Sequence, residues 1–170
     1  MNAEKNELEY TLIDFESYYV LVRNDRIDLK DFKMLFSEFI HKWNKQKNMH
    51  FGRFVSGSLS IHTEFDILDI THKVENLWID GSKLKVKLRL IGEDYRVSKI
   101  KELLDEGFQI AAFIDTYDKR INLTPIENVS GNNVINIEEM FDKMFNYTPD
   151  GIMKILTRQY ATLNMTYGRI

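Results

Sequence analysis

The sequence predicts an α+β fold, a mainly antiparallel β-sheet with packed helices, on three observations. A hairpin pattern runs from Ile70 to Ile91 around Asp80-Gly81. Two stretches, Leu29 to Trp43 and Tyr95 to Glu106, carry apolar residues at spacings of three and four. Short apolar runs bounded by turn residues occupy much of the remainder. The chain of 170 residues suits one domain, or one domain with a terminal extension. Hydrophobic residues at 44% against charged residues at 29% place it with folded rather than disordered chains.

The first nine residues are polar and acidic, so no secretory apolar region is expected there. Tyr10 to Val22 is apolar and aromatic, and its periodicity does not decide between helix and strand. Asp28 is the expected N-cap of a helix in which Leu29, Phe32, Leu35, Phe36, Phe39, Ile40 and Trp43 share one face. Such a stripe predicts core. Its aromatic weight also makes Phe32, Phe36, Phe39 and Trp43 candidates for partner binding. Near Asn48–Gly52 the helical period gives way to a strand period. This divides the chain into an N-terminal helical extension, 1–50, and an α+β domain, 51–170, that ends in a helix.

Phe51 to Ile61 reads as a strand, and Ile70 to Ile79 with Lys83 to Ile91 as a hairpin. In the second arm Leu84, Val86, Leu88 and Leu90 face one way; Lys83, Lys85, Lys87 and Arg89 face the other. Tyr95 to Glu106 reads as a helix stopped by Gly107. Phe108 to Ile114 is expected as a buried strand with Lys119 to Ile126 beside it. Val134 to Phe145 is mixed in period, and Gly151 to Leu163 reads as helix.

Composition excludes several chemistries. The chain has no cysteine, hence no disulfide, thiolate metal site or cysteine nucleophile. No apolar run reaches the ~18 residues of a membrane span. A net charge of −3 gives no whole-molecule attraction for nucleic acid, and the lysine strand reads as a solvated face. His41, His50, His62 and His72 lack metal-ligand spacing. His62 precedes Glu64, Asp66 and Asp69, which read as a solvated acidic turn. No glycine loop that would cradle phosphate occurs, and Ser56, Ser58 and Ser60 lack the surroundings of a nucleophile elbow. No cofactor or metal is expected.

Taken in order, several segments resemble the prohead core protease family of tailed phages. They are Gly57-Ser58-Leu59-Ser60-Ile61-His62, Thr71-His72-Lys73-Val74, Leu77-Trp78-Ile79-Asp80-Gly81 and the strand Leu84 to Ile91. Ile100-Lys101-Glu102-Leu103-Leu104-Asp105-Glu106-Gly107, Ile137 to Met144 and Thr148-Pro149 complete the set. The likeness covers a little over half the chain. It implies an assemblin-like antiparallel barrel with packed helices, and residence in a phage head after synthesis in the host cytoplasm. Implied partners are capsid or other virion proteins, with a homo-oligomer possible, and neither nucleic acid nor membrane.

The likeness breaks where the chemistry should be. Counted from Gly107, the family's G-V-S-S-R-G falls on Ala111-Ala112-Phe113-Ile114-Asp115-Thr116. Phe113 occupies the nucleophile position and Asp115 lies near the arginine position; a phenyl ring cannot attack a carbonyl. His62 falls one residue late and precedes Thr63 rather than a proline. The site is therefore read as degenerate at His62, Phe113 and Asp115, with no catalytic residue, and Phe113 is expected in the core. The resemblance thus implies a non-enzymatic head protein, an auxiliary capsid or internal protein. The alternatives are an active maturation protease with a displaced nucleophile, and an unrelated head–tail connector or tail component.

Overall fold

The structure is a computed structural model and describes residues 6–56 and 63–157. Its elements run β1 (Glu7–Asp14), β2 (Tyr19–Val22), β3 (Asp25–Arg26), α1 (Leu29–Lys45), β4 (Phe51–Arg53), β5 (Ile70–Asp80) and β6 (Lys83–Leu90). They continue with α2 (Tyr95–Asp105), β7 (Ile110–Asp115), β8 (Arg120–Pro125), β9 (Val134–Asn136), α3 (Ile137–Phe145) and α4 over residues 149–157. The strands form a four-stranded sheet in the order β1-β6-β5-β4, a three-stranded sheet β3-β2-β9, and the hairpin β7-β8. Pairing is antiparallel except between β2 and β9. The α+β class is thus observed, but no closed barrel: β7 packs beside β1 without joining its sheet.

The β5-β6 hairpin forms as its alternation predicts, with Leu84, Val86, Leu88 and Leu90 buried. Its loop is Gly81-Ser82 rather than Asp80-Gly81, since Asp80 pairs with Lys83 and Gly81 takes the positive φ of 61°. A bulge at Glu75 explains why β5 does not alternate. The extra residue changes the parity, so Val74 and Leu77 both reach the core. The cationic face of β6 is matched across the strands. Lys87 meets Glu7 at 3.2 Å, Lys85 meets Asp80 at 3.2 Å, and Arg89 meets Glu75 at 2.6 Å. The predicted solvated face is therefore locally neutralised rather than a phosphate-binding strip.

The ambiguous stretch Tyr10–Val22 resolves into strands β1 and β2. The segment before residue 50 is not an added extension. β1 pairs with β6 from Glu7↔Arg89 to Asp14↔Lys83, and α1 packs against β5.

The partner-binding assignment of α1 is likewise corrected. Phe32, Phe36 and Phe39 are fully buried and Trp43 is 1% exposed. Phe39 meets Phe141 and Phe145 of α3 with ring centroids 5.7 and 5.0 Å apart. Withdrawing four such side chains from the core would cost about 2 kcal/mol each, roughly 8 together. That is comparable with the whole stability of a typical domain, so this face is core and is not available for docking.

The helix ends follow local chemistry. Asp28 caps α1 by accepting from Asp31 N at 2.8 Å. Asp94 caps α2, and Asn136 caps α3. At the far end of α2 the N–H groups of Gly107 and Phe108 return to the carbonyls of Leu104 and Leu103. The mixed period of Val134–Phe145 is a three-residue strand running directly into a helix. The strand expected over Phe51–Ile61 ends at Arg53, with an isolated bridge at Phe54. Part of it, residues 57–61, lies outside the described residues, as does the end of the helix expected through Leu163.

Candidate functional site

Strand β8 alternates sharply in polarity. Ile121 and Leu123 are buried on one face; Asn122 and Thr124 are buried on the other. The reason lies across the fold, where β8 meets β4. Arg53 N donates to Asn122 Oδ1 at 2.9 Å, Val55 N to Leu123 O at 2.7 Å, and Thr124 Oγ1 to Val55 O at 2.7 Å. This polar seam joins the β7-β8 hairpin to the four-stranded sheet.

The Arg53 guanidinium is the centre of the seam. Its Nε and Nη2 donate to the two carboxylate oxygens of Asp118, at 2.7 and 2.9 Å, and Nη2 also donates to Thr63 O at 2.7 Å. Asn122 Nδ2 donates to both Asp115 Oδ2 and Asp118 Oδ2, at 2.9 and 2.8 Å. Burial disfavours the Arg53 charge, but the hydrogen bond and field of Asp118, then Asp69 and Asp115, outweigh it and raise its pKa. The buried carboxylates hold a permanent cation here.

His72 lies on β5 beside the same seam and is fully buried. Its Nε2 donates to Ile121 O at 2.8 Å, which leaves Nδ1 to accept from Thr71 Oγ1 at 2.9 Å. Gly52 makes this possible. A Cβ there would stand 2.3 Å from His72 Nε2 and 2.3 Å from Ile121 O. Burial lowers the His72 pKa to about 4, against which the Ile121 bond pulls only weakly. The folded state thus keeps this ring neutral, while the unfolded chain protonates it near 6.5. The stability it contributes is complete above pH 6.5, falls as pH drops below that value, and is fully lost below about 4. Between pH 7 and 4.5 urea denaturation should show a loss of roughly 2 kcal/mol that a His72→Gln variant lacks.

The sequence-derived site residues fall as follows. His62 lies outside the described residues. Phe113 on β7 pairs with Asn122 and is only half-buried, not the sealed core residue expected. It lies on the free side of the hairpin, lining an open cleft of about 490 Å³ between β1, β7 and the segment 126–135. Asp115 is 3% exposed and accepts from Tyr117 N and Asp118 N, which fixes the turn after β7. No described contact joins Phe113 to an imidazole. Of the other histidines, His41 is exposed, whereas His50 is half-buried, its ring stacked on Trp43 at 5.3 Å and bonded to Trp43 O at 2.8 Å.

Thr71 and His72 form a hydroxyl–imidazole pair, but both are fully buried, and Nε2 is occupied by a backbone carbonyl. No substrate carbonyl can reach that hydroxyl. Among the described residues no group of three or more His, Asp or Glu is placed to hold a metal ion. Nor is any helix among them long and apolar enough to cross a membrane. The site is thus a buried polar seam within an α+β protein. Comparison with protein-family models, with curated proteins and with solved structures finds no match to this chain.

Proposed function

We propose that this chain is a non-enzymatic structural protein of a tailed-phage head, an auxiliary capsid or internal head protein, derived from a prohead-protease fold. The observation that carries the reading is Phe113. The position that the resemblance assigns to the nucleophile bears a phenyl ring beside the cleft between β1 and β7. Two further features support it. Asp115, near the arginine position, is consumed in a turn, and the Thr71–His72 pair is sealed. An assembly protein requires a rigid body and a complementary surface rather than a reactive group, and the buried hydrogen-bonded seam supplies rigidity.

The test is incubation of the full chain with capsid and scaffold precursors, alongside a His62→Ala variant. No cleavage by either protein is expected, and the chain should co-purify with mature particles at a fixed stoichiometry. Cleavage that depends on His62 would overturn the reading, as would absence from the particle.

A further inference from the structure

With the aromatic face of α1 buried, an apolar docking surface must lie elsewhere, and one place on the molecule presents apolar side chains to solvent. After the seam, the chain makes a single 3₁₀ turn, Ile67–Asp69, before entering β5. Ile67 and Leu68 on this turn are 74% and 73% exposed, and Tyr95, at the start of α2, is 77% exposed. Isolated exposed apolar residues are ordinary, but these three are held in one place by polar clamps. Asp66 caps the turn by accepting from Leu68 N at 2.9 Å. Arg96 joins the turn to α2. Its Nη1 donates to Leu68 O at 2.9 Å, its Nη2 lies 3.4 Å from Asp69, and its guanidinium carbon sits 5.6 Å from the Tyr95 ring centre.

Carboxylates surround this knob. Asp66, Asp69 and Asp94 stand within the clamp, and the exposed Glu64 and Glu93 flank it in sequence. Two arginines reach the clamp, and both are turned onto carboxylates: Arg96 onto Asp69 and Asp94 as well as the Leu68 carbonyl, and Arg53 onto Asp118 and Asp69. An apolar knob in a negative field repels phosphate-bearing surfaces, which excludes nucleic acid and anionic lipid as occupants. It matches a protein surface with an apolar socket ringed by lysine and arginine.

We infer that Ile67, Leu68 and Tyr95 form a preorganised docking knob for a partner protein presenting a basic-rimmed apolar socket. The turn is ordered before binding, so little side-chain and loop entropy is left to lose on association. The acidic surround sets which partners approach, and the three apolar residues supply the anchor. This inference does not rest on the phage-head reading.

The test uses the full chain and three synthetic peptides that share one apolar helical face but carry Lys/Arg, Gln or Glu flanks. Binding is followed by titration calorimetry and by amide chemical shifts. Only the Lys/Arg peptide should bind, with shifts at residues 64–69 and 93–96 and affinity falling as salt rises. Ile67→Ser/Leu68→Ser should weaken it at least tenfold. Glu64→Lys/Glu93→Lys, which leaves the apolar residues and the clamp intact, should weaken it several-fold. Unchanged melting temperatures would show that both variants remain folded. Equal binding of the three peptides, shifts mapping elsewhere, or self-association abolished by the serine variant would each overturn the inference.

Discussion

Replacing Arg53 by methionine is expected to destabilise the protein by about 3–5 kcal/mol, read as a lower urea midpoint at unchanged slope. The side chains of Arg53 and Asp118 are 6% and 1% exposed, and they meet through two bonds at 2.7 and 2.9 Å. Removing the guanidinium leaves the Asp118 carboxylate buried with only Asn122 Nδ2 as a side-chain donor of those described. The penalty is the desolvation of that orphaned charge rather than the worth of the pair. A double variant, Arg53→Met/Asp118→Leu, removes both charges, and its loss should be smaller than the sum of the single losses by more than 1 kcal/mol. Strict additivity would mean that the pair is energetically inert and that the seam does not hold β4 to β8.

Changing Gly52 to alanine should cost about 3–5 kcal/mol, and here the sign alone is informative. In an open strand the same substitution stabilises by roughly 0.5–1 kcal/mol, because alanine has less backbone freedom to lose. At Gly52 the new methyl would stand 2.3 Å from both His72 Nε2 and Ile121 O. Either the ring leaves its carbonyl, orphaning a buried donor, or β4 and β8 separate. If the ring moves toward solvent, its pKa returns toward 6.5, so the acid-dependent loss between pH 6.5 and 4 should shrink in this variant. A neutral or stabilising result would show that β4 and β8 are not in close contact.

Local structure was largely legible along the chain. The alternation of Lys83–Leu90, the apolar stripe of α1 behind Asp28 and the glycine stop at Gly107 are short-range patterns, and each formed where its spacing placed it. Tyr10–Val22 was not legible because a bulge between Thr11 and Ile13 breaks its alternation, burying both Leu12 and Ile13. The aromatic face of α1 was recognised, but periodicity is the same for a core stripe and a docking stripe. Only its packing against α3 separates them.

The candidate site was the least legible part. Phe113 and Asp115 were singled out by position in a motif, and the structure leaves them on one hairpin without a shared reactive geometry. The seam that organises the region was missed. Arg53 and Asp118 are 65 residues apart, and an arginine or an asparagine in a sequence reads as surface until its partner is known. One signal was available. Asn122 and Thr124 alternate with Ile121 and Leu123 in the strand expected beside the buried run Phe108–Ile114, and polar residues buried at that spacing require partners on the second face.

By itself, the sequence determined the class of the fold, the helix ends at Asp28 and Gly107, the β5-β6 hairpin and the phenyl ring at Phe113. These depend on side-chain type and on neighbours within a few positions. Tertiary structure alone decided that β7 packs beside β1 without joining its sheet, that the aromatic face of α1 is core, and that Ile67, Leu68 and Tyr95 stand exposed together. Those outcomes depend on which distant surfaces meet. Burial and charge pairing are properties of that meeting, and no single stretch of chain carries them.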